Sequence, residues 1–159
     1  MNLKEILIET LLFLIFSVPL SIMDMRKFRI SIFYTFLGIA AFFVFRFFVL
    51  PHVIFFSKVK LCLVSVFSAA IVLFFTRMFS GGGLGAGDII FGIFSAVYCV
   101  VWWKNLAGLF FAALLGVLHY LSLAAFYKIR KDKILRPVFA IPFVPFISAG
   151  AILARVFFG

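Results

Sequence analysis

Two aspartates, Asp24 and Asp88, each lie where a long apolar run ends or begins. Asp88 closes the glycine-rich stretch 81–88, and Asp24 is soon followed by three basic residues. A charge at bilayer depth costs about 2.5–3.5 kcal/mol, so a carboxylate kept there usually has a function. Two close carboxyl groups share one proton and can hydrolyse an amide, because one activates water while the other polarises the carbonyl. The pattern predicts an aspartic dyad inside or just below a membrane.

The surroundings of the two aspartates suggest how each would work. Asp88 begins a predicted helix, whose positive dipole end favours the carboxylate, whereas Asp24 ends one; Asp88 is therefore the expected base. Gly85 and Gly87 lack a β-carbon, so their backbone can adopt positive φ and lie against a substrate strand. For Asp88 taken alone, a flexible turn in which it is only an N-cap residue is an equally good interpretation; together with Asp24, the dyad is favoured.

Composition places the chain in a membrane. It has 159 residues, of which 67% are apolar, and its mean hydropathy is +1.31. A spanning helix needs about 20 apolar residues, so the length allows about six spans in one domain, residues 1–159. We predict an all-α membrane protein, a polytopic bundle of about six transmembrane helices. The predicted spans are 6–23, 31–50, 59–79, 88–103, 106–127 and 137–158.

Charged residues inside or beside these runs have structural interpretations. Glu5 and Glu9 are expected to be solvated at the start of the first helix, where acidic groups favour the helix dipole. Arg46 is expected to snorkel to the membrane interface. Lys58 and Lys60 are expected in a short loop before the third run.

The fifth run carries a pattern of small residues. Gly108, Ala112 and Gly116 recur every four residues, a spacing that lets helix backbones approach closely in membranes. His119 follows in the same run and has no acidic or metal-ligating neighbour in sequence. We expect it to be a hydrogen-bonded packing residue.

The net charge of +10 is explained by topology. Lys and Arg cluster at the ends of the runs, as the positive-inside rule requires, so the expected partner is the lipid bilayer and no nucleic acid. With both termini outside, nine basic residues lie on the inner side and six on the outer, and both aspartates face the cytoplasm. The outer six are Lys4, Arg46, Lys58, Lys60, Lys104 and Arg155.

The two cysteines suggest neither a disulfide nor a metal site. Cys62 and Cys99 lie inside predicted spans, without a CxxC pair or a nearby histidine. Their position inside the spans and this lack of nearby partners argue against both a disulfide framework and a thiolate metal site. We expect no metal and no organic cofactor.

Three segments occur in order along the chain: MDMRKFRI at 23–30, GAGD at 85–88 and IPFVPF at 141–146. Together with six predicted spans they resemble the type IV prepilin peptidase family, the GxGD-type intramembrane aspartic proteases. The resemblance covers nearly the whole chain and implies that Asp24 and Asp88 are the catalytic pair. It implies a multi-pass protein of the bacterial inner membrane whose active site faces the cytoplasm.

The resemblance also implies the substrate. Enzymes of this family cut the short basic leader from prepilin or pseudopilin proteins of type IV pili and type II secretion, typically after a glycine. Bifunctional members also N-methylate the new terminus with an added N-terminal region that often bears CxxC motifs. That region has no counterpart here, so we expect cleavage without methylation and leave the oligomeric state open.

The chain departs from the family at two places. Ser31 and Ile32 stand where the family commonly has Pro-Asn, and Ile90 stands where it commonly has Lys. Neither change removes a carboxylate, but the loss of the lysine bears on leader recognition.

The prolines of the third segment have a physical role of their own. Pro142 and Pro145 cannot donate to the carbonyls of residues 138 and 141, which predicts interrupted first turns in the sixth helix. Those carbonyls could pair with an extended substrate, and a simple kink is an equally good interpretation.

Two other functions fit the same residues. One is a protease similar to presenilin or signal peptide peptidase that acts on membrane-spanning substrates. The other is a non-enzymatic small transporter or membrane assembly subunit, whose aspartates would bind protons or cations.

Overall fold

The computed structural model describes residues 3–49, 52–80, 84–130 and 142–158. These residues form six α-helices in an all-α membrane bundle, as predicted. The helices are α1 (Leu3–Lys27), α2 (Ile32–Val49), α3 (His52–Phe79), α4 (Ala86–Cys99), α5 (Trp102–Arg130) and α6 (Val144–Phe158).

Helix length divides the six into two groups. Four of them, α1, α2, α3 and α5, are long and apolar enough to cross a bilayer. Helices α4 and α6 have 14 and 15 residues, which gives each a length of about 21–23 Å at 1.5 Å per residue. That is less than the roughly 30 Å of a hydrocarbon core, so both short helices sit within the bundle and rely on the longer ones.

Some predicted boundaries need correction. Lys58 and Lys60 lie inside α3 and not in a loop, because long lysine stems can extend towards water from within a helix. Helix α1 continues past Asp24 to Lys27, which places the carboxylate on the last helical turn. The predicted sixth run starts at 137, but residues 131–141 lie outside the described part of the chain, and α6 starts at Val144.

Helices α5 and α6 pack with their backbones in contact, as the small-residue pattern predicted. A β-carbon at Gly108 would lie 3.2 Å from the Cα of Ala151. A β-carbon at Gly150 would collide with the carbonyl oxygen of Gly108 and lie 2.8 Å from the nitrogen of Ala112. The neighbouring atoms are backbone atoms that cannot rotate away, so the absence of a side chain at Gly150 sets the distance between the helices.

We therefore expect Gly150→Ala to lower the free energy of unfolding by about 1–3 kcal/mol, the usual cost of overpacking. Gly116→Ala is the matched control, because a β-carbon there would only touch the Phe143 ring at 3.6 Å. Thermal unfolding of both variants in detergent micelles checks this. Equal melting temperatures for the two variants would contradict the close packing at Gly150.

An aromatic layer fills the centre of the bundle. It consists of Phe13, Phe42, Phe91, Phe94 and Tyr98, all with zero exposure. Phe13 stacks on Tyr98 with ring centroids 4.2 Å apart and on Phe94 at 5.1 Å. Other phenylalanines, such as Phe33, Phe48 and Phe79, are largely exposed on the outside of the bundle, whereas these five rings form its core.

Candidate active site

Asp24 joins α1 to α6. Its side chain is 6% exposed, and its Oδ2 accepts a hydrogen bond from the N–H of Val144 at 3.1 Å. Val144 is the first residue of α6, and the first N–H groups of a helix have no partner within it. Asp24 therefore caps α6, which brings the 23–30 segment against residues 142–146, the described part of the third segment.

Asp88 folds back on the start of its own helix. It is the third residue of α4, and its Oδ2 accepts the N–H of Gly85, the N-cap residue, at 2.9 Å. This is the reciprocal half of a capping box, in which a carboxylate three residues into the helix binds the N-cap amide. This hydrogen bond holds the half-buried carboxyl group at the N-terminus of α4.

Asp24 and Asp88 both line one cavity of about 310 Å³. The other residues that line it are Phe28, Arg29, Ile30, Ile32, Gly85, Ala86, Gly87 and Ile90. The structure thus brings the two predicted aspartates together. It also brings the 23–30 segment to the 85–88 segment.

The cavity changes the acidity of Asp88, which lies at the start of α4 and outside the four long spans. Burial raises the pKa of Asp88 to about 6. The hydrogen bond from the Gly85 N–H lowers this pKa, and the negative charge of Asp24 raises it further. The effect of Asp24 is the smallest of the three, so burial is the main cause of the raised pKa of Asp88.

The glycines have a role different from the predicted one. Gly85 is extended, with φ −68° and ψ 151°, and Gly87 lies within α4, so positive φ is not used at either position. What matters is space: a β-carbon at Gly85 would lie 3.1 Å from Asp88 Oδ2, and one at Gly87 would lie 2.8 Å from Ile30 Cγ1. The two glycines let the carboxylate fold back and let α4 approach residue 30. Residues 81–83 lie outside the described part of the chain.

The prolines begin α6 and do not interrupt it. Pro142 precedes the helix and Pro145 is its second residue, a region where a missing N–H costs nothing because no partner exists for it. The predicted interruption concerned the first turns of a helix starting at 137, most of which lie outside the described part of the chain. The carbonyls of residues 138 and 141 lie outside that part, and neither proline is among the residues that line the cavity.

The turn between α1 and α2 shapes one wall of the cavity. Phe28 has φ of 50°, and its N–H donates to the carbonyl oxygen of Asp24 at 2.8 Å. Positive φ is uncommon in a bulky residue, and here it ends α1. Ser31, one of the departures from the family, caps α2 by accepting the N–H of Tyr34 at 3.3 Å. Ile90, the other, gives the cavity an apolar wall.

A buried charge cluster lies on other parts of the same helices, and the sequence interpretation missed it. Glu9 and Arg46 are each 2% exposed and Arg155 is 4% exposed. Arg46 Nε donates to Glu9 Oε1 at 2.8 Å, and Arg155 Nη2 donates to Glu9 Oε2. The expectations of a solvated Glu9 and a snorkelling Arg46 are therefore wrong. The sequence did contain a signal for this cluster, because one acidic and two basic residues lie within apolar runs, where a charge needs a partner of opposite sign.

Three further residues that the sequence singled out are not among those that line the cavity. His119 is exposed, and its ring packs against that of Phe146 with centroids 5.5 Å apart. Cys62 and Cys99 are free, buried thiols. Across residues 3–49, 52–80, 84–130 and 142–158, no group of three His, Cys, Asp or Glu side chains is placed to hold a metal ion.

Comparison of the chain with protein-family models, with curated proteins and with solved structures finds no match.

Proposed function

We propose that the chain is an aspartic endopeptidase that removes the basic leader from prepilin- or pseudopilin-like substrates at the cytoplasmic face of a bacterial inner membrane. The observation that carries this proposal is that Asp24 and Asp88 line one cavity. Support comes from the three segments behind the family resemblance, which are distant in sequence and adjacent in space. Asp24 binds Val144, and Gly87 packs on Ile30.

The geometry suggests a division of labour within the pair. Asp24 accepts a hydrogen bond from the first N–H of α6, and Asp88 accepts one at the start of α4, so a helix N-terminus favours the charged form of both carboxyl groups. Asp88, with a pKa of about 6, is the better proton carrier. In the proposed reaction Asp24 takes a proton from water, the water oxygen attacks the scissile carbonyl, and Asp88 protonates the carbonyl oxygen.

Collapse of the tetrahedral intermediate completes the proposed reaction. The peptide C–N bond breaks, and the proton on Asp24 passes to the leaving amine. The hydroxyl proton of the intermediate returns to Asp88, so both carboxyl groups recover their starting state. These roles are the reverse of those expected from the sequence. The sequence showed that Asp24 lies near the end of α1, but not that its carboxyl group binds the start of α6.

Charge placement supports the cytoplasmic orientation. Arg29 lines the cavity, and Arg26 and Lys27 lie in the last turn of α1 beside it. Arg46 and Arg155 were counted on the outer side, but both are buried in ion pairs with Glu9. Their removal leaves four basic residues in the outer count against nine in the inner, which strengthens the positive-inside bias.

The aromatic layer argues against transport through the bundle. Along α1, Phe13, Phe16 and Leu20 are buried between Glu9 and Asp24. Phe13 stacks on Tyr98 and Phe94 of α4. A proton or cation path would need polar groups or water at this level, because an unsatisfied charge is costly in an apolar medium. Among the described residues, buried Ser17 and Ser21 also lie on this part of α1, but the stacked rings of Phe13, Phe94 and Tyr98 separate them from Glu9, which favours a site that opens to one side.

A substrate panel tests the proposal against its alternatives. Purified protein in liposomes is incubated with a prepilin peptide that has a basic leader and with a spanning peptide that lacks one. Leader cleavage of the first alone supports the proposal. Cleavage of the second alone supports a protease of the presenilin type, and proton flux without cleavage of either supports a transporter.

The pH profile of cleavage should be bell-shaped. The active form needs one proton on the pair, and that proton is lost as the pH rises through the Asp88 pKa of about 6. We expect kcat/KM to fall about tenfold per pH unit above this value, because kcat/KM reports the ionisations of the free enzyme. Measurement between about pH 4 and pH 9, with the melting temperature recorded at each pH, checks it. A flat profile with an intact fold contradicts the shared-proton mechanism.

A further inference from the structure

The Glu9 cluster, formed by Glu9, Arg46 and Arg155, binds the last turn of α4 through hydrogen bonds. Arg46 Nη1 donates to the carbonyl oxygen of Val97 at 2.7 Å, and its Nη2 donates to that of Tyr98 at 3.3 Å. Arg155 Nη1 also donates to the Tyr98 carbonyl oxygen. The last carbonyls of a helix have no partner within it and carry partial negative charge, so two guanidinium groups are well matched to them.

The chain just after these carbonyls is strained. Val100 has φ 65° and ψ −51°, and the N–H of Val101 donates to the carbonyl oxygen of Cys99 at 2.7 Å. A γ-turn with positive φ is rare and strained, and a β-branched residue makes it more so. Such a conformation persists only where its surroundings hold it. The two arginines bind the carbonyls two and three residues before it.

The helices held by the cluster are the helices that build the candidate active site. Helix α1 carries Glu9 and, about 22 Å further along its axis at 1.5 Å per residue, Asp24. Helix α4 is bound by the cluster at its C-terminal turn and carries Asp88 in its first turn. Helix α6 carries Arg155 near its end and is capped by Asp24 at its start.

We propose that the Glu9 cluster is a positioning device, which fixes the register of α4 and α6 against α1 and thereby sets how the Asp24 and Asp88 carboxyl groups face each other. Helix α6 is bound to α1 at both ends, and α4 is bound by the cluster at its C-terminal turn, so neither short helix can slide or rotate along α1 without breaking hydrogen bonds to charged groups. The consequence for cleavage rests on the proposed function. The consequence for helix position does not.

Disulfide trapping tests helix position without any activity. A β-carbon at Gly87 would lie 4.0 Å from the Ile30 Cβ, inside the range of about 3.5–4.5 Å found in disulfides. The pair Ile30→Cys and Gly87→Cys, in a Cys62→Ala and Cys99→Ala background, should cross-link readily under mild oxidation. Adding Glu9→Gln, which removes the central charge but keeps the side-chain shape, should slow cross-linking several-fold.

Kinetics provide the second measurement, with native residues at 30 and 87. Glu9→Gln should lower kcat for leader cleavage by about 10- to 100-fold with KM little changed, because a displacement of about 1 Å can cost a hundredfold. Leu109→Ala is the matched control: it truncates a buried side chain on α5, which carries no residue of the pair. It should lower the melting temperature and leave kcat and cross-linking as in the wild type.

The outcomes separate the two proposals. If Glu9→Gln slows cross-linking but the wild type cleaves no leader peptide, the positioning device stands and the peptidase proposal fails. If Glu9→Gln loses only thermal stability, as Leu109→Ala does, the positioning device is overturned. If Glu9→Gln does not fold, cross-linking is measured in Arg155→Lys instead. Lysine keeps the positive charge but cannot donate to both Glu9 and the Tyr98 carbonyl as the guanidinium group does. Unchanged cross-linking in this variant overturns the proposal.

Discussion

Asp24→Asn and Asp88→Asn are each expected to reduce kcat/KM for leader cleavage by about 10⁴-fold, the upper end of what positioned general acid–base groups supply. An asparagine amide can neither take a proton from water nor hold one for the carbonyl. Because the two carboxyl groups act as a unit, the double variant should lose little more than either single one. The measurement is the initial rate of leader removal by the purified variants.

Folding has to be held constant in this comparison. An asparagine at position 24 keeps an oxygen that can accept the Val144 N–H, so α6 should remain capped. Glu5→Gln is the matched control: it removes a half-buried carboxylate from α1 that does not line the cavity. Its rate should equal that of the wild type. Residual cleavage of one-tenth or more in either aspartate variant would remove the dyad from the mechanism.

Glu9→Ala should have the largest effect on stability. It leaves the guanidinium groups of Arg46 and Arg155 buried without their shared counter-charge, which typically costs about 3–5 kcal/mol. Denaturant unfolding in mixed micelles measures the loss. Glu5→Ala is the control on the same helix, and it should change the free energy of unfolding by less than about 0.5 kcal/mol.

The triple variant Glu9→Leu, Arg46→Leu, Arg155→Leu separates two sources of that loss. If an unpaired buried charge is the cause, removing all three charges should recover stability relative to Glu9→Ala, since apolar replacements of buried ion pairs are often neutral. Recovery will be incomplete, because the last carbonyls of α4 lose their donors. A triple variant less stable than Glu9→Ala would show that those hydrogen bonds outweigh the charge.

Hydropathy and the spacing of small residues predicted the architecture well. Long apolar runs can only be helices in a bilayer, where each backbone polar group must be satisfied within its segment. The register of Gly108 and Ala112 predicted a close approach of two helix backbones, because small side chains leave room for the backbone of a neighbouring helix. The meeting of Asp24 and Asp88 followed from an even number of crossings between them.

The predictions that were wrong concerned residues whose surroundings depend on which helix faces meet. Glu9 and Arg46 were interpreted locally, each as a residue near the end of its own helix, and local rules place such residues in water. Their pairing is a tertiary event between α1, α2 and α6. The same holds for Asp24: its dipole environment is set by α6, which starts 120 residues later in the chain.

The mass of the product from a prepilin peptide, after incubation with the purified protein in liposomes, tests the central claim most directly. We predict one cut that separates the basic leader from the remainder, with one oxygen from isotope-labelled water in the leader carboxyl group. We also predict no product from the Asp24→Asn and Asp88→Asn proteins. An intact peptide after incubation with the folded wild type, or the same product from both variants, would contradict it.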